Sequence, residues 1–543
     1  MDRTLQLQVL IAQLNFTVGD IKGNTKKIIH TIKIARDNQL IDLIIFPELA
    51  ITGYPPEDLL LRKDFLNEVT QALNEICKET LGISVILGCT HLVNNRLFNA
   101  AALLQEQQII TYYHKQCLPN YGVFDEKRYF TPGENVCIFT IKGIPLSVLI
   151  CEDIWFSEPA IQAAEAGAKG IICINASPFS HNKYEKRLDI LQQRIRETQL
   201  PIIYAHTVGG QDDIIFDGGS IVLDNQGQIM ARAPFFEEML FPLECNFSSN
   251  LQIIKQTLPI LPPPLECIYQ ALVLGLKDYV NKNDFPGVLL GLSGGIDSAL
   301  TLAIAVDALG KEKVKAVLMP SRYTSQLSID LAMQQIQLLG IQYYYISIEQ
   351  HFQEFLNTLS NEFPHQAQGI AEENLQARCR GTLLMAISNK TSDLVLITSN
   401  KSEVAVGYST LYGDMVGGYA VLKDVWKTTV FELAKYRNQV SLAIPQEVIK
   451  RPPTAELRLN QTDQDTLPPY TILDDILIRY VENNESIDEI HAAGYEITMI
   501  NKVIHMLHKS EYKRRQCAPG PKITNQAFGR ERRYPITNKF PNF

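Results

Sequence analysis

Short apolar runs alternate with amphipathic stretches along the first 245 residues of the chain. The apolar runs predict nine strands, and the amphipathic stretches predict four helices. This many strands per helix is typical of two packed sheets with helices outside them, so we predict an α-β-β-α sandwich. The predicted strands are Leu5–Gln13, Leu43–Phe46, Val85–Cys89, Ala100–Leu104, Ile109–Tyr113, Leu146–Ile150, Ile171–Ile174, Ile202–Ala205 and Ile221–Leu223. The predicted helices are Asn24–Asn38, Leu60–Glu79, Pro159–Gly167 and Lys183–Leu200.

A different rhythm follows the proline-rich run Leu261–Leu265, which cannot continue a helix. Helices and strands now alternate, as in a Rossmann-like, doubly wound parallel sheet. In that fold, ligands bind beyond the carboxyl ends of the strands. The predicted elements are the helix Leu265–Lys282, the strand Val288–Gly291, the helix Ser298–Leu309, the strand Lys315–Met319, the helix Ser328–Leu339 and the later strand Leu394–Ile397.

These patterns divide the chain into a first domain, 1–245, a linker, 246–264, and a second domain, 265–543. Within the second domain, five prolines fall between Ile444 and Tyr470. That density predicts a long ordered loop or a lid.

Composition narrows the class of protein. The 543 residues are 46% hydrophobic and carry a net charge of -9, which is ordinary for a globular chain and argues against binding nucleic acid over the whole surface. No apolar run approaches the roughly 18 residues of a membrane helix, and the first residues lack a signal-peptide pattern. Ten scattered cysteines form no C-x-x-C pair, so we expect reduced thiols and a cytoplasmic protein.

The C-terminal tail is basic, although the chain as a whole is acidic. Residues 509–533 hold eight basic and two acidic residues, a net charge of +6. A solvated, partly flexible tail is the common explanation for such a run, and a clamp on an anionic ligand is the alternative.

A glycine-rich turn joins the strand Val288–Gly291 to the helix after it. Adjacent glycines let backbone N–H groups approach phosphate oxygens, and the helix N-terminus favours an anion. The turn has neither the Gly-Lys-Ser/Thr of a Walker A loop nor the G-x-G-x-x-G of a dinucleotide site. It resembles instead the loop of the pyrophosphate-loop ATPases, which adenylate a substrate and release AMP and pyrophosphate. Its residues are Gly291, Leu292, Ser293, Gly294, Gly295, Ile296, Asp297 and Ser298, of which Asp297 is placed to hold Mg²⁺.

A second polar cluster, Thr398–Asp414, follows the apolar strand Leu394–Ile397. It lies where a parallel sheet places its site. Glu403 can supply a second carboxylate to Mg²⁺. Any single residue of this cluster could instead serve a turn or cap a helix.

In the first half, Cys151 lies at a strand-to-helix turn, and Glu48 and Lys115 also follow predicted strands. A thiol, a carboxylate and an ammonium at one end of a sheet core can act as nucleophile, general base and oxyanion stabiliser. Each residue also has an ordinary explanation. A lone cysteine is usually a small buried apolar residue, Glu48 could cap a helix, and Lys115 could be a surface charge.

The strings Phe46–Glu48, His114-Lys115 and Cys151–Trp155 together resemble the carbon–nitrogen hydrolase (nitrilase) family, whose members cleave amides through a Glu–Lys–Cys triad and a thioester. The resemblance implies that Glu48 is the base, that Lys115 stabilises the tetrahedral intermediate and that Cys151 is the nucleophile. It also implies a glutamine-binding set, which consists of Tyr121, Ser177 and Lys183.

Both halves together resemble the glutamine-dependent NAD⁺ synthetases almost from end to end. The distinctive strings are Phe46–Tyr54, Val208–Asp212, Phe216–Ser220, Met319–Ser325, Glu373-Asn374, Asn400–Asp414 and Tyr512–Gln516. The resemblance implies that glutamine is hydrolysed in the first domain and that its ammonia travels through an internal tunnel. In the second domain, ATP adenylates the nicotinate carboxylate of deamido-NAD⁺, and ammonia converts the adenylate to NAD⁺ and AMP.

The same resemblance assigns the remaining ligand contacts. ATP would contact the glycine-rich turn, Thr398, Lys427 and Thr454, and Mg²⁺ would bind Asp297 and Glu403. Deamido-NAD⁺ would lie beside Asn374, Glu403 and Lys513. It also implies a homo-oligomer with a dimeric synthetase core.

Four residues depart from the family pattern: His206 and Thr207 replace an Asn-Gln pair, Ser399 replaces Gly, and Leu459 replaces Pro. Three other functions stay open on the residues alone. They are a different glutamine-dependent pyrophosphate-loop synthetase, an amidase regulated by a nucleotide-binding half, and a scaffold without catalysis.

Overall fold

The computed structural model describes residues 5–38, 41–363, 369–458 and 461–541. By its internal contacts the chain divides into two units, Met1–Pro262 and Pro263–Phe543. In these described ranges, no helix combines the length and the apolar character needed to cross a membrane.

The strands of the first unit form two large sheets and a hairpin. One sheet has the order β15-β14-β1-β2-β3-β4-β5, the other has the order β13-β12-β9-β8-β7-β6, and β10 pairs with β11. The strands are β1 Leu5–Gln13, β2 Leu43–Ile45, β3 Ser84–Val93, β4 Arg96–Gln105, β5 Gln108–His114, β6 Ile138–Ile141, β7 Ile144–Ile150, β8 Ile171–Asn175, β9 Ile202–His206, β10 Val208–Gln211, β11 Ile214–Asp217, β12 Ile221–Leu223, β13 Ile229–Arg232, β14 Met239–Phe247 and β15 Leu251–Ile253.

The two large sheets pack face to face, with helices on their outer faces. Side chains alternate along β1, so Val9 and Ile11 pack with Val148 of the second sheet, while Leu10 packs with Ile28 of α1. This arrangement confirms the predicted α-β-β-α sandwich. The helices are α1 Ile21–Asn38, α2 Lys63–Cys77, α3 Ser157–Glu165 and α4 Lys183–Thr198, with 3₁₀ turns at Glu57–Leu61, Glu126–Arg128 and Cys151–Trp155.

The sequence pattern missed strands β6, β10, β11, β13, β14 and β15. Strand β14 pairs along its whole length with β1, and β15 continues the same sheet to Ile253. The first eight residues of the segment assigned to a linker, 246–264, therefore reach the end of a sheet. The predicted helix Leu60–Glu79 is interrupted at Arg62, where the backbone is extended between a 3₁₀ turn and α2.

The second unit is built on five parallel strands in the order β18-β17-β16-β19-β20, which confirms the predicted parallel sheet. The sequence pattern missed its two edge strands, β18 and β20. From β16 the chain first builds outward to β17 and β18, and then returns to add β19 on the other side. The loops that follow β16 and β19 diverge at this switch point, which is where doubly wound sheets bind ligands. The strands are β16 Val288–Gly291, β17 Val314–Leu318, β18 Gln342–Tyr345, β19 Leu394–Ile397 and β20 Tyr419–Ala420.

Helices cover both faces of this sheet. Leu289 and Val395 pack under α8 and α9, while α6 lies on the opposite side with α5 and α11. A second apolar core joins α10, α13 and α15. The helices are α5 Pro264–Lys282, α6 Ile296–Leu309, α7 Gln326–Leu339, α8 Glu349–Glu362, α9 Ile370–Thr391, α10 Lys401–Val406, α11 Lys427–Val440, α12 Gln446–Lys450, α13 Tyr470–Leu477, α14 Ile487–Ala492, α15 Ile497–Lys509 and α16 Glu511–Arg514, with 3₁₀ turns at Lys311–Lys313 and Asp463–Asp465 and a π turn at Ile478–Glu482.

Candidate active sites

Cys151 occupies a strained turn directly after β7. Its φ is +46°, a left-handed conformation that a non-glycine residue adopts at a cost, and its side chain is buried. Asp153 stabilises the turn, because its carboxylate accepts hydrogen bonds from the N–H of Ile150 and from Gln116 and Cys117 beyond β5. The thiol position and the loop after β5 are therefore fixed to each other.

Glu48 and Lys115 meet in the buried interior of the same unit. Lys115 Nζ lies 2.7 Å from Glu48 Oε1 and 2.8 Å from Glu126 Oε1. Asn99 Nδ2 donates to Glu48 Oε1 at 2.8 Å, and the N–H of Ala176 donates to Glu48 Oε2 at 3.0 Å. These bonds fix the rotamers of the Glu48 carboxylate and the Lys115 ammonium.

Burial and charge set the protonation states of this group. Burial raises the pKa of the Cys151 thiol well above its usual range, and Glu48 raises it further against the opposing effect of Lys115. Burial opposes the charge of Lys115, but Glu126 and Glu48 outweigh burial and raise its pKa. The Cys151 thiol is therefore neutral, and the Lys115 amine charged, at neutral pH.

Glu126 is a fourth member of the group that the sequence did not reveal. Burial and Glu48 raise its pKa to about 7, against the opposing effect of Lys115. Its Oε1 accepts from Tyr54 and Lys115, while its buried Oε2 has no hydrogen-bond partner within the described residues. In the sequence, Glu126 lies in a run of charged residues that is typical of a surface turn, so its burial leaves no local signal.

The residues assigned to glutamine are placed around the same turn. The Tyr121 hydroxyl donates to Glu152 at 2.9 Å, and Lys183 Nζ lies 4.2 Å from the centre of the Trp155 ring. Ser177 follows β8, one residue after the Ala176 N–H that contacts Glu48. Glu152, which the sequence analysis did not assign, adds a carboxylate to this set.

In the second unit, the glycine-rich turn connects β16 to α6. Gly294 has a φ of +79°, and a Cβ there would lie 2.3 Å from the carbonyl oxygen of Ser328, so only glycine fits. Ser293 Oγ and Ser298 Oγ lie 3.1 Å apart. The N-terminal residue Gly295 gives α6 no side-chain cap, so no capping side chain competes with an anion for its first N–H groups.

Asp297 and Glu403 converge at the switch point, as the metal assignment requires. Lys427 Nζ bonds to Asp297 Oδ2 and lies 3.4 Å from Glu403 Oε1. Asn400 caps α10 by accepting from the N–H of Glu403, and its Nδ2 donates to Asp297 Oδ1 at 2.8 Å. Asn400 therefore serves both as a helix cap and as part of the site.

The charges of this cluster are strongly coupled. Burial and, to a smaller extent, Asp297 raise the pKa of Glu403 to about 8, against the opposing effect of Lys427. Burial opposes the charge of Lys427, but Asp297 and Glu403 raise its pKa. Two neighbouring carboxylates thus need a positive charge between them, and Lys427 supplies it here. Among the described residues, no three or more His, Cys, Asp or Glu side chains are grouped to hold a metal without other ligands.

A cavity of about 270 Å³ opens beside this cluster. Its lining includes Gly291, Ser293, Thr398, Arg380 and Asp414. Burial lowers the pKa of Arg380 to about 10. Neither Arg380 nor its contact with the cavity was anticipated from the sequence.

Thr454 lies near the same turn, and it lines a smaller recess with Ser293 and Gly295. Its hydroxyl donates to the carbonyl oxygen of Gln461 at 2.5 Å. This contact connects the two sides of the proline-rich segment predicted as a loop or lid. Leu459 lies outside the described residues.

Asn374 and Lys513 both contact the segment after α10. Asn374 Oδ1 accepts from the Thr410 hydroxyl at 2.8 Å, and Lys513 Nζ donates to the carbonyl oxygens of Gly407 and Ser409 at 2.8 and 2.7 Å. The residues assigned to deamido-NAD⁺ therefore converge on one segment, together with Glu403.

The basic tail does not have the solvated arrangement that was one of the two explanations of its charge. Glu511 is buried and pairs with Arg514, Arg515 and Arg532. Three guanidinium groups are thus held by one carboxylate, and Lys513 is directed at the segment after α10. Ser399, one of the departures from the family pattern, is buried two residues after β19.

Comparison with known proteins covers both units. Residues 8–249 match the carbon-nitrogen hydrolase family, and residues 268–517 match the NAD synthase family. The chain is 49% identical to a glutamine-dependent NAD(+) synthetase of Xanthomonas campestris pv. campestris (strain 8004), over 98% of each chain. It is 44% identical to that of Aquifex aeolicus (strain VF5), over 98% of this chain and 100% of the other.

A solved structure extends the likeness to three dimensions. It is the glutamine-dependent NAD+ synthetase of Acinetobacter baumannii in complex with adenosine diphosphate, at a TM-score of 0.79 and 44% identity, covering 98% of this chain and 99% of the other. Sequence and structure thus agree over nearly the whole length of both proteins. This chain belongs to the family of glutamine-dependent NAD(+) synthetases.

Proposed function

We propose that this chain is a ligase that converts deamido-NAD⁺ to NAD⁺ with ATP and glutamine, releasing AMP, pyrophosphate and glutamate. The observation that carries the proposal is the full-length match to glutamine-dependent NAD(+) synthetases, in a chain whose amidase and ATP-site residues both converge. An amidase regulated by a nucleotide, or a scaffold, would not need both sets intact.

Glutamine hydrolysis follows from the first cluster. Glu48 removes the proton of the Cys151 thiol, and the sulfur attacks the amide carbon. Lys115 lies beside Glu48, and its positive charge stabilises the oxyanion of the tetrahedral intermediate. The two carboxylates that contact Lys115 keep it protonated. Glu48 then delivers the proton to the departing ammonia, and water hydrolyses the thioester to glutamate.

Glutamine recognition needs opposite charges for a zwitterion. Glu152 and Lys183 supply them near the nucleophile, so we assign Glu152 to the α-ammonium and Lys183 to the α-carboxylate. Tyr121 orients Glu152 through its hydroxyl, and Ser177 contributes from the segment after β8. The unpartnered Glu126 Oε2 is suited to accept from the amide NH₂ group.

Replacing Lys183 by methionine tests this assignment. We expect KM for glutamine to rise about tenfold to a hundredfold, because a charged hydrogen bond to the substrate is lost, with ammonium-supported synthesis unchanged. Steady-state assays with each nitrogen source measure both values. Lys186→Met, which removes an exposed lysine one turn along α4, is the matched control. An unchanged KM for glutamine in Lys183→Met would refute the assignment.

Adenylation follows from the second cluster. The glycine-rich turn and the N-terminus of α6 bind the phosphates of ATP, and Thr398, Lys427 and Thr454 add contacts around them. The nicotinate carboxylate attacks the α-phosphorus, pyrophosphate leaves, and ammonia then displaces AMP from the adenylate. Adenylation is needed because a carboxylate is a poor acyl donor. Asn374, Glu403 and Lys513 hold deamido-NAD⁺ on the segment they share.

Asp297 and Glu403 fit a Mg²⁺ site. Burial first and the neighbouring Asp297 second raise the pKa of Glu403, and a bound cation would offset both effects. Because two carboxylates do not complete an octahedral shell, phosphate oxygens and water would supply the other ligands. When bound, Mg²⁺ neutralises charge on the triphosphate and the departing pyrophosphate.

The proposal includes a direct transfer of ammonia from glutamine to the adenylate, through an internal tunnel as in the family. Because the ammonia does not enter the bulk solvent, it stays unprotonated and therefore nucleophilic. A reducing compartment, the cytoplasm, keeps the Cys151 thiol competent.

We also propose a homo-oligomer built on the second unit. Strand β18 is an edge strand, and Tyr343, Tyr344 and Tyr345 are all exposed along it. Exposed edge strands with large apolar side chains are typical of surfaces that pair with another chain. A second copy of this chain is the partner we assign.

Product analysis tests the whole proposal. Purified protein is incubated with MgATP, deamido-NAD⁺ and glutamine. We expect NAD⁺, AMP, pyrophosphate and glutamate, with NAD⁺, AMP and pyrophosphate in equal amounts. If glutamate formed without NAD⁺ or AMP, glutamine hydrolysis would be supported, but deamido-NAD⁺ would be the wrong acceptor of the ammonia.

A further inference from the structure

Lys401, the first residue of α10, is fully buried in the second unit. Its Nζ lies 2.8 Å from Asp424 Oδ1 and 2.8 Å from Glu482 Oε1. It also donates to Thr524 Oγ1 at 2.7 Å and to the carbonyl oxygen of Gln526 at 2.9 Å. These acceptors come from three distant parts of the chain, and together they offset the cost of burying the charge.

Two of these acceptors belong to the C-terminal segment 518–528, which lies beyond the part of the chain that matches the NAD synthase family. Asp424 Oδ2 accepts from the N–H groups of Ile523 and Thr524, both at 2.7 Å. The Thr524 hydroxyl donates to Asp424 Oδ1 at 3.0 Å and accepts from Lys401. This one hydroxyl therefore contacts both members of the buried ion pair and attaches the C-terminal segment to them.

The backbone of Lys401 lies within the candidate ATP and Mg²⁺ site. Asn400, one residue earlier, caps α10 and donates to Asp297 Oδ1 at 2.8 Å. Glu403 follows two residues later in the same helix. The N–H of Lys401 also donates to the carbonyl oxygen of Val425 at 2.9 Å. The residue that holds the C-terminal segment therefore also fixes the start of α10, where two residues of the site lie.

We propose that Lys401 is a positioning residue for adenylation, which couples the docking of the C-terminal segment 518–528 to the placement of Asn400 and Glu403. It has no contact with ATP, because the acceptors of the protein satisfy the N–H donors of its ammonium group. The C-terminal segment is then a part of the synthetase site that acts from behind α10. This inference rests on the proposed function, since it assumes that Glu403 binds Mg²⁺ with ATP.

The test compares Thr524→Val with Thr524→Ser, because replacing Lys401 itself would leave buried carboxylates without a partner. Valine keeps the shape of threonine without the hydroxyl, whereas serine keeps the hydroxyl. In ammonium-supported synthesis, we expect Thr524→Val to raise the KM for MgATP about threefold to tenfold, because a hydrogen bond to a charged group is lost and the start of α10 shifts. The Mg²⁺ concentration that gives half the maximal rate should rise as well. Thr524→Ser should stay within about twofold of wild type in both values.

Hydrogen exchange measured by mass spectrometry supplies a second readout. We expect faster exchange in peptides from Lys401–Val406 in Thr524→Val, but not in Thr524→Ser. The matched control is Thr391→Val, which removes a hydroxyl that donates to the carbonyl oxygen of Ile387 within α9, and it should change neither value. If the valine variant of Thr524 does not fold, Thr524→Ala takes its place.

A lower melting temperature in Thr524→Val, with unchanged KM for MgATP, Mg²⁺ dependence and exchange at α10, would show that the buried cluster is merely structural. A serine variant no better than the valine variant would also overturn the positioning role. If wild-type protein makes no NAD⁺ with ammonium, the proposed function fails instead.

Discussion

Cys151→Ala should abolish NAD⁺ synthesis from glutamine while leaving synthesis from ammonium within about twofold of wild type. In the proposed mechanism this thiol is the nucleophile of the first unit, and Glu48 and Lys115 are the charged groups with the largest effects on it. We expect glutamine-supported turnover to fall by about 10³-fold or more, the usual consequence of removing a covalent nucleophile. NAD⁺ formation with saturating glutamine and with saturating ammonium gives the two rates.

The matched control is Cys245→Ala, which removes another buried thiol from the same core cluster. Burial and Glu244 raise its pKa to about 12, and it lies on strand β14, whereas Cys151 lies at the turn after β7 beside Glu48 and Lys115. Both of its rates should remain near wild type. If Cys151→Ala lost synthesis from ammonium as well, the two chemistries would not be separable as proposed.

Asp297→Ala should abolish synthesis from both nitrogen sources. Asp297 lies beside the glycine-rich turn, contacts Asn400 and Lys427, and is one of two carboxylates assigned to Mg²⁺. Its removal weakens the binding of the cation and frees Lys427 from its partner. We expect a decrease of about 10²- to 10³-fold in NAD⁺ formation, typical of losing a group that stabilises transition-state charge. Glutamine hydrolysis in the first unit needs no adenylate, so glutamate release is the readout that should persist.

Asp297→Asn separates charge from shape, because asparagine keeps the hydrogen-bonding outline without the negative charge. With ammonium as the nitrogen source, NAD⁺ synthesis by Asp297→Asn should fall as far as it does in Asp297→Ala. Glu312→Ala, an exposed carboxylate in the 3₁₀ turn Lys311–Lys313, is the control and should leave both rates unchanged. Normal NAD⁺ synthesis by Asp297→Asn at ordinary Mg²⁺ would remove Asp297 from the metal site.

The fold was predictable wherever apolar runs were long and regular. Strands such as Ile221–Leu223 and Val288–Gly291 match their predicted bounds, because burial on both sides leaves continuous apolar runs. Strand β14 was missed since Pro242 and Glu244 interrupt its pattern, and a proline argues against a strand. Strand β10 was missed because two of its four residues are glycine.

The candidate sites were predictable in their reacting groups and not in the groups around them. Glu48, Lys115 and Cys151 each follow an apolar strand, so their position at a sheet end is encoded locally. Glu126 lies 11 residues from Lys115 in sequence but in a charged run, and its burial depends on packing with distant residues such as Tyr54. The burial of Glu126 therefore cannot be predicted from the residues around it in the sequence.

The hydrogen bonds that Asn400 and Lys427 donate to Asp297 affect how the second unit folds. These partners lie 103 and 130 residues away along the chain. Forming contacts between residues so far apart in the chain costs loop-closure entropy and is slow. Asp297 follows β16 and Asn400 follows β19, so we expect these two strands to pair before the contacts form. Nucleotide-binding ability should therefore appear only at the end of refolding, after helical structure has formed, so that ATP protects the finished unit and not its intermediates.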